Sequence, residues 1–371
     1  MIVAVRLDAV ELRRISMPLV APFRTAFGVE HNRDALLVRA ITADCEGWGE
    51  CVAMSEPLYS SEYVDGAHEV MRHHLLPRLL GVELTGTRVA ELLEPVRGHP
   101  MAKAAIEMAV LDAELRVRDM RLADLLGATR ESVPCGVSVG IHDSIPALLD
   151  AVGRYLDAGY VRVKLKIEPG WDVEPVAAVR ECFGDDLALQ VDANSAYTSD
   201  DWTHLQKLDA FDLLLIEQPL PEDDLIGHAD LARKMSTPIC LDESITSARA
   251  AANAISLGAC SIINIKAGRV GGYLEARRIH DICVAQGVPV WCGGMLETGI
   301  GRAANVALAA LPGFTLPGDT SASDRYFHRD VTAPFVLDHG HLAVPTGAGI
   351  GVTPDTAVLD ELTTSIELIR P

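Results

Sequence analysis

The chain has 371 residues, with 52 acidic against 32 basic side chains and a formal net charge of −20. At roughly 100–200 residues per domain this length predicts two or three domains, or one large barrel with an appendage. A composition of 49% hydrophobic and 23% charged residues excludes wholesale disorder, and the acidic excess argues against nucleic acid and anionic membrane surfaces as partners.

The first part of the chain, residues 1–128, is predicted to contain strands and then helices. Residues 3–17 alternate weakly, residues 35–41 form a clearer strand, and residues 47–50, Gly-Trp-Gly-Glu, are typical of a turn. Residues 101–118 have the clearest helical period. Strands followed by helices predict an α+β module.

The middle part, residues 129–324, alternates short apolar runs with helical segments, and Gly or Pro stands at the junctions. Eight runs are predicted as strands: residues 133–141, 161–167, 187–191, 213–216, 239–241, 262–265, 288–292 and 315–317. Strands that alternate with helices predict parallel pairing with right-handed crossovers. Eight such units fit a (β/α) barrel better than an open sheet.

The last part, residues 325–371, contains Pro334, Pro345 and Pro354 and a strand-like run at 334–337. We expect it to return and pack on the N-terminal module.

Cellular location is predicted from cysteine usage and from the apolar runs. The eight cysteines include no CxxC pair, and we interpret them as reduced thiols of a cytoplasmic protein. The N-terminal residues lack an apolar core of signal-peptide length. No uncharged run exceeds 16 residues, whereas a membrane span needs about 20 mostly apolar residues.

Charged residues follow successive predicted strands at a constant period. They are Lys166, Asp192, Glu217, Asp242 and Lys266, with spacings of 26, 25, 25 and 24 residues, one barrel unit each time. Active sites of such barrels are built at the C-terminal ends of the strands. The period therefore predicts that these five side chains meet at one site.

Three of these residues, Asp192, Glu217 and Asp242, are carboxylates on neighbouring strands, and unpaired like charges at close range are costly. A hard divalent cation relieves that cost, and oxygen ligands suit Mg²⁺ or Mn²⁺. Ca²⁺ fits less well because no carbonyl-rich segment is visible, and Zn²⁺ because the site lacks His and Cys.

The two lysines flank this carboxylate cluster on opposite sides of the barrel. A substrate held there has Lys166 on one face and Lys266 on the other. A lysine base must be neutral near pH 7, and both a dication and the neighbouring ammonium of Lys164 lower its pKa. The arrangement predicts removal of a proton alpha to a carboxylate.

These residues resemble those of the enolase superfamily, in its muconate-lactonizing subgroup. The motifs are also similar to those of the N-acylamino acid (N-succinylamino acid) racemase and o-succinylbenzoate synthase family. They are Pro-Phe-Arg-Thr at 22–25, Gly-Trp-Gly-Glu-Cys at 47–51, Lys-Leu-Lys-Ile-Glu-Pro-Gly at 164–170, Trp-Cys-Gly-Gly-Met-Leu-Glu-Thr-Gly at 291–299 and Pro-Gly-Asp-Thr-Ser-Ala-Ser-Asp at 317–324.

The resemblance implies a mixed α/β fold, a (β/α)7β TIM-like barrel at 129–324. It also implies an α+β capping domain at 1–128, completed by residues 325–371. It implies Mg²⁺, with Mn²⁺ or Co²⁺ as substitutes, a small-molecule carboxylate substrate and a homo-oligomer of two or eight subunits.

Site roles are also implied by the resemblance. Lys166 and Lys266 correspond to the acid/base pair, and Asp192, Glu217 and Asp242 to the metal ligands, with Glu243 supporting them. Lys164 and Asn194 are expected near the substrate carboxylate or the metal. The expected substrate contacts are Phe23, Arg24 and Tyr59 from the cap and Ser138, Gly294, Met295 and Leu296 at the barrel mouth.

The residues leave several functions open. The leading hypothesis is an N-acylamino acid racemase that also has o-succinylbenzoate synthase activity. The alternatives are a dedicated synthase, or a cycloisomerase or dipeptide epimerase using the same residues, although the Gly-Gly-Met-Leu-Glu segment argues against the epimerase. A non-catalytic barrel is a further alternative, but all five charged residues are present.

Overall fold

The structure is a computed structural model that describes residues 4–371. Its first module combines an antiparallel sheet with helices. The elements are β1 (Val5–Arg6), β2 (Ala9–Thr25), β3 (Gly28–Ile41), β4 (Glu46–Cys51), α1 (Val64–Val70), β5 (Glu83–Leu84), α2 (Gly86–Leu93), α3 (Pro100–Val117) and α4 (Leu122–Leu126). The predicted α+β module is confirmed. Of the predicted strand at 3–17, residue 3 lies outside the described residues.

The segment predicted as a turn at 47–50 is instead part of strand β4, so that prediction was wrong. The glycines serve a different purpose there. A Cβ on Gly47 would collide with the carbonyl of Ala109, and one on Gly49 with that of Ala105. Glycine is therefore needed for the close approach of β4 to helix α3 rather than for a turn.

The second module is built from strands that alternate with helices. Its elements are β6 (Ser132–Pro134), β7 (Gly136–Val139), α5 (Ile145–Asp157), β8 (Arg162–Lys166), α6 (Val173–Phe183), β9 (Leu189–Asp192), α7 (Trp202–Leu205), β10 (Ile216–Glu217), α8 (Leu225–Ala232), β11 (Ile239–Leu241), α9 (Ala248–Leu257), β12 (Ile262–Ile265), α10 (Ala267–Val270), α11 (Tyr273–Gln286), β13 (Val290–Cys292) and α12 (Gly299–Ala309). Strands β7 to β13 form one parallel sheet in sequential order.

The sheet closes into a barrel through the segment predicted as the eighth strand, residues 315–317. This segment has isolated bridges at its two ends instead of a continuous ladder. Phe314 pairs with Val290 of β13, and Gly318 pairs with Cys135 beside β7. Pro317 has no amide hydrogen to donate, which limits pairing along this segment.

The C-terminal residues return to the first module, as predicted. Strand β14 (His341–Ala343) first pairs with β6 beside the barrel, and α13 (Thr356–Leu362) and β15 (Thr363–Ile369) then reach the first module. Strand β15 is antiparallel to β2, and the sheet order is β15-β2-β3-β4. No strand forms at 334–337, contrary to prediction. Pro334 cannot donate to a ladder, and the backbone of Phe335 is instead hydrogen-bonded to Ser323.

Buried apolar residues form two main clusters. The larger cluster occupies the barrel and its helices, and the smaller lies between the cap sheet and helices α1 to α3. Helix α3 is buried along most of its length because it packs both on the cap sheet and on the barrel helices α10 and α11. Within residues 4–371, every helix is too short or too polar to cross a membrane.

Candidate active site

The five charged residues of constant spacing lie together at the C-terminal ends of the barrel strands. Lys166, Asp192 and Glu217 are the last residues of β8, β9 and β10, and Asp242 and Lys266 directly follow β11 and β12. Lys166 is paired in register with Asp192, and Asp192 with Glu217. All five side chains are buried. The barrel register therefore brings the predicted residues to one place.

Ammonium groups contact the carboxylates. The Lys166 Nζ atom lies 2.6 Å from Asp192 and the Lys164 Nζ atom 2.9 Å from Glu217. Lys164 also lies 3.3 Å from Asp192, so one ammonium joins two carboxylates. The buried charges are thus compensated within the site, as burial of ions requires.

Asp242 belongs to a separate group of contacts. It accepts hydrogen bonds from Lys266 at 2.7 Å and from the Tyr59 hydroxyl at 3.2 Å, and it pairs with Arg269. Lys266 also donates to the Tyr59 oxygen at 3.1 Å. This cap tyrosine therefore reaches the barrel lysine and its carboxylate together.

The donor set of this site suits a hard divalent cation. Within residues 4–371, no three His, Cys, Asp or Glu side chains are grouped closely enough to be a ready metal site. However, three buried carboxylates end adjacent strands, and Oε2 of the nearby Glu243 is buried without a hydrogen-bond partner. Carboxylate oxygens without nitrogen or sulfur donors are the ligands that Mg²⁺ prefers.

The environment shifts the pKa values of these groups in different directions. Although burial opposes ionisation, Lys166 and Lys164 lower the pKa of Asp192. Burial, together with the charge of Asp192, raises the pKa of Glu217. Burial lowers the pKa of Lys266, but Tyr59 and nearby carboxylates outweigh it, so its net pKa is raised. The arrangement therefore favours the ammonium form of Lys266, which is able to deliver a proton.

Left-handed backbone follows two of these strand ends. Asn194, Ser195 and Gln218 have φ values of 43°, 65° and 38°, a conformation that costs non-glycine residues about 1–2 kcal/mol. Asn194 accepts from Lys166 at 2.7 Å and donates to Glu243 at 2.9 Å. The strained backbone thus places Asn194 between an ammonium and a carboxylate.

Gln218 holds the end of the next strand. Its side-chain oxygen accepts the backbone N–H groups of Asp242 and Ser244 at 3.0 and 3.2 Å. Its amide nitrogen donates to the Ser244 hydroxyl at 2.7 Å. These bonds fix the backbone that carries Asp242.

A cleft opens above these charges, between the barrel mouth and the cap. Its lining includes most of the predicted site residues: Phe23, Tyr59, Ser138, Lys164, Lys166, Asn194, Lys266, Gly294, Met295 and Leu296. Ser138 is buried, and its hydroxyl has no hydrogen-bond partner. The Met295 sulfur lies 3.5 Å from the Lys266 ammonium.

The other predicted residues lie outside this lining. Asp192, Glu217, Asp242 and Glu243 are buried in the contacts described above. The Arg24 guanidinium lies 3.1 Å from Glu168 and 3.4 Å from Asp143. The structure therefore places Arg24 beside the cleft, in ion pairs, while its neighbour Phe23 lines it.

Several lining residues were missed by sequence reasoning: Thr25, Phe27, Glu30, Met54, Asp319 and Tyr326. Asp319 had a detectable signal, because it lies two residues after the eighth apolar run, close to the strand end as the other carboxylates are. The cap residues had no such signal, since their positions depend on how the cap sheet docks on the barrel.

Family models match most of the chain. Residues 9–127 match the mandelate racemase / muconate lactonizing enzyme N-terminal domain, and residues 147–358 match the enolase C-terminal domain-like family. An N-succinylamino acid racemase from an Amycolatopsis species is 68% identical over 361 residues, which cover 97% of this chain and 98% of the relative. An o-succinylbenzoate synthase from Geobacillus kaustophilus is 46% identical over 370 residues, covering 99% and 98%.

A solved structure gives the same result for the fold. An enolase superfamily member from Listeria innocua Clip11262 has a TM-score of 0.94 and 42% identity, covering 99% of each chain. These similarities agree with the barrel, the cap and the charged strand ends described above. The chain is an enzyme, and it belongs to the enolase superfamily, with the N-terminal domain of the mandelate racemase and muconate lactonizing enzymes.

Proposed function

We propose that this enzyme removes the proton alpha to a substrate carboxylate with two lysines, acting as an N-acylamino acid (N-succinylamino acid) racemase. The observation that carries this proposal is that Lys166 and Lys266 line one cleft from strands β8 and β12, with three strands between them. Bases on opposite sides of a substrate are what racemisation requires. The 68% identity to an N-succinylamino acid racemase supports the same reaction.

Racemisation follows from the two lysines. One neutral lysine takes the α-proton, and the negative charge left behind spreads onto the substrate carboxylate. The other lysine, as an ammonium, returns a proton to the opposite face of the α-carbon. Lys266 is suited to the second role because its ammonium form is favoured. In the reverse direction the two lysines exchange roles.

We propose that Asp192, Glu217 and Asp242 hold Mg²⁺, for which Mn²⁺ or Co²⁺ can substitute, with Glu243 supporting them. The Mg²⁺ dependence of the enolase superfamily supports this assignment. When bound, such a cation stabilises negative charge that develops on the substrate carboxylate. Lys164 and Asn194 would then help to orient that carboxylate.

Specific residues are assigned to the rest of the substrate. Ser138, Gly294, Met295 and Leu296 would contact the acyl group at the barrel mouth. Phe23 and Tyr59 would cover the amino-acid side chain, with Arg24 beside them.

A second activity, o-succinylbenzoate synthase, uses the same cleft. Lys166 would remove the proton alpha to the carboxylate and then protonate the departing hydroxyl, which leaves as water. Lys266 would remain an ammonium that stabilises the anion. The 46% identity to an o-succinylbenzoate synthase favours this candidate. The product of that reaction, 2-succinylbenzoate, is a menaquinone precursor. A dedicated synthase, or another cycloisomerase or epimerase of the subgroup, is the alternative.

Proton exchange tests these functions directly. The enzyme is incubated in D₂O with Mg²⁺ and N-succinyl-L-phenylalanine, while NMR follows the α-proton and polarimetry follows optical rotation. Exchange together with racemisation is expected. Exchange with retained rotation would mean that one lysine alone is productive with this substrate. Absence of exchange with both N-succinyl-L-phenylalanine and N-succinyl-L-lysine, with 2-succinylbenzoate still formed from its precursor, would overturn the racemase proposal in favour of a dedicated synthase.

The broader predictions also stay proposals. We infer a cytoplasmic enzyme, supported by eight free cysteines, of which six are buried. A homo-oligomer of two or eight subunits, and domain boundaries after residues 128 and 324, are inferred from the family resemblance.

A further inference from the structure

Glu30 lies in the active-site cleft but has no place in the reaction proposed above. It is on β3, where it pairs across the strands with Phe23 of β2. It lines the same cleft as Lys166 and Lys266, and its side chain is half-buried. A carboxylate in this position faces the space that a substrate would occupy.

The Glu30 carboxylate makes no direct contact with a donor or a cation among the described residues. Within 4–371, no hydrogen bond or ion pair to it is formed. The nearby Arg33 is already committed, since it donates to the carbonyls of Ala53 at 2.8 Å and Cys51 at 3.1 Å and lies 3.9 Å from Glu50. Burial raises the pKa of Glu30. The charge of Glu56 raises it further, whereas Arg33 and His31 lower it.

The cleft wall around Glu30 is mainly apolar. Phe23, Phe27, Met54 and Tyr326 line the same space. Such a surface suits the methylene stem of a long side chain, and a partly dehydrated carboxylate gains most from a cation at the end of that stem. A half-buried carboxylate without a hydrogen-bond or ion-pair partner costs stability unless a ligand pairs with it.

We infer that Glu30 determines substrate specificity by binding the cationic end of the substrate side chain. The inference rests on the proposed racemase function and deepens it: the substrate class is N-acylamino acids with basic side chains, an ammonium or a guanidinium. In this arrangement the lysines hold the α-carbon, the aromatic wall covers the stem and Glu30 pairs with the terminal charge.

Two substrates that differ only at the end of the side chain test this inference. The value of kcat/KM for racemisation is measured for N-succinyl-L-lysine and N-succinyl-L-norleucine, which share a four-carbon stem. Glu30→Gln is expected to lower the lysine-to-norleucine ratio by about tenfold, since a charge-assisted hydrogen bond is lost. Glu30→Lys is expected to reverse the preference towards N-succinyl-L-glutamate.

Glu56→Gln is the matched control. Glu56 is exposed, close enough to Glu30 to influence its charge, and outside the lining of the cleft. Its variant should leave the substrate ratio unchanged. An unchanged ratio in Glu30→Gln, or an equal change in both variants, would overturn the inference, because the effect would then be absent or would come from the general negative field.

A binding measurement distinguishes failure of this inference from failure of the proposed function. If the native enzyme racemises neither substrate, the racemase proposal fails. Calorimetric binding of N-succinyl-L-lysine and N-succinyl-L-norleucine then still reports on Glu30. A tenfold loss of the lysine preference in Glu30→Gln, with a melting temperature equal to that of the native enzyme, would support the inference, and equal binding ratios would overturn it.

Discussion

Lys164 and Asp319 form an ion pair inside the barrel, with 2.6 Å between Nζ and Oδ2. Lys164 is on β8, and Asp319 follows the segment that closes the barrel. Arg162 also lies 2.8 Å from Asp319, and the Trp291 ring lies beneath both cations, 5.3 Å from the Arg162 guanidinium carbon and 4.7 Å from the Lys164 Nζ. Asp319 therefore compensates two buried positive charges and fixes Lys164 at the floor of the cleft.

Asp319→Asn is expected to lower the free energy of unfolding by about 3 kcal/mol, because it leaves buried cations without their full compensation. Chemical denaturation measures this loss. It is also expected to lower kcat/KM at least tenfold at temperatures where the variant is folded. The exposed Asp185→Asn is the control and should change stability by less than about 0.5 kcal/mol. Native-like stability in Asp319→Asn would contradict this account of the ion pair.

Replacement of either proposed base should stop racemisation but not all proton exchange. In Lys166→Ala and in Lys266→Ala, the remaining lysine still faces one side of the substrate. Each variant should therefore exchange the α-proton of one enantiomer of N-succinylphenylalanine in D₂O, and the two variants should act on opposite enantiomers. NMR with separate D and L substrates measures this. Normal racemisation by Lys266→Ala would exclude the two-base mechanism.

Mg²⁺ should stabilise the folded enzyme if the three carboxylates share a cation. Ligand binding at 100 times Kd adds about 2.7 kcal/mol, so the melting temperature should rise with Mg²⁺ and fall again with a chelator. Asp242→Asn should weaken this response. Glu62→Gln changes a buried carboxylate that instead accepts backbone N–H groups of helix α3, and it should retain the response. A native enzyme indifferent to Mg²⁺ would argue that the carboxylates bind no metal.

Glu107 should make stability depend on pH near neutrality. It is buried on α3 and accepts the N–H of Leu274 at 3.1 Å, and burial raises its pKa to about 7. An unfolded glutamate has a pKa of about 4.3, so the folded state holds the proton more tightly. The contribution of protonated Glu107 to the free energy of unfolding is fully present below a pH of about 4.3. It is lost as the pH rises through about 7.

Glu107→Gln removes this titration. Melting temperatures of the native enzyme and the variant are compared across this pH range, and the native enzyme should lose more stability as the pH rises. The difference between the two curves isolates Glu107 from the other titrating groups. Parallel curves would show that Glu107 does not titrate there.

The periodic features of this protein could be predicted from its sequence. Parallel strands of a barrel repeat at nearly constant chain length. The sequence therefore assigns Lys166, Asp192, Glu217, Asp242 and Lys266 to one end of the barrel. The predicted helix at 101–118 likewise agrees with α3 at Pro100–Val117. Both predictions depend only on local pattern and on the geometry of one repeating unit.

The non-periodic features could not be predicted in this way. Gly47 and Gly49 have the composition of a turn, but they lie in a strand because helix α3 passes too close for a side chain. Strand β15 forms because the C-terminal residues reach β2, more than 340 residues away in the chain. Such contacts join distant segments, and no local pattern encodes them.

The site shows the same division. Local sequence was sufficient to identify which ionisable groups end the barrel strands and hence which chemistry they can perform. The docking of the cap on the barrel determined which residues line the cleft, placing Tyr59 against Lys266 and Glu30 in the substrate space while leaving Arg24 in ion pairs beside it. Strand order follows from short-range periodicity, whereas cap contacts depend on long-range packing between surfaces that the chain brings together only when it folds.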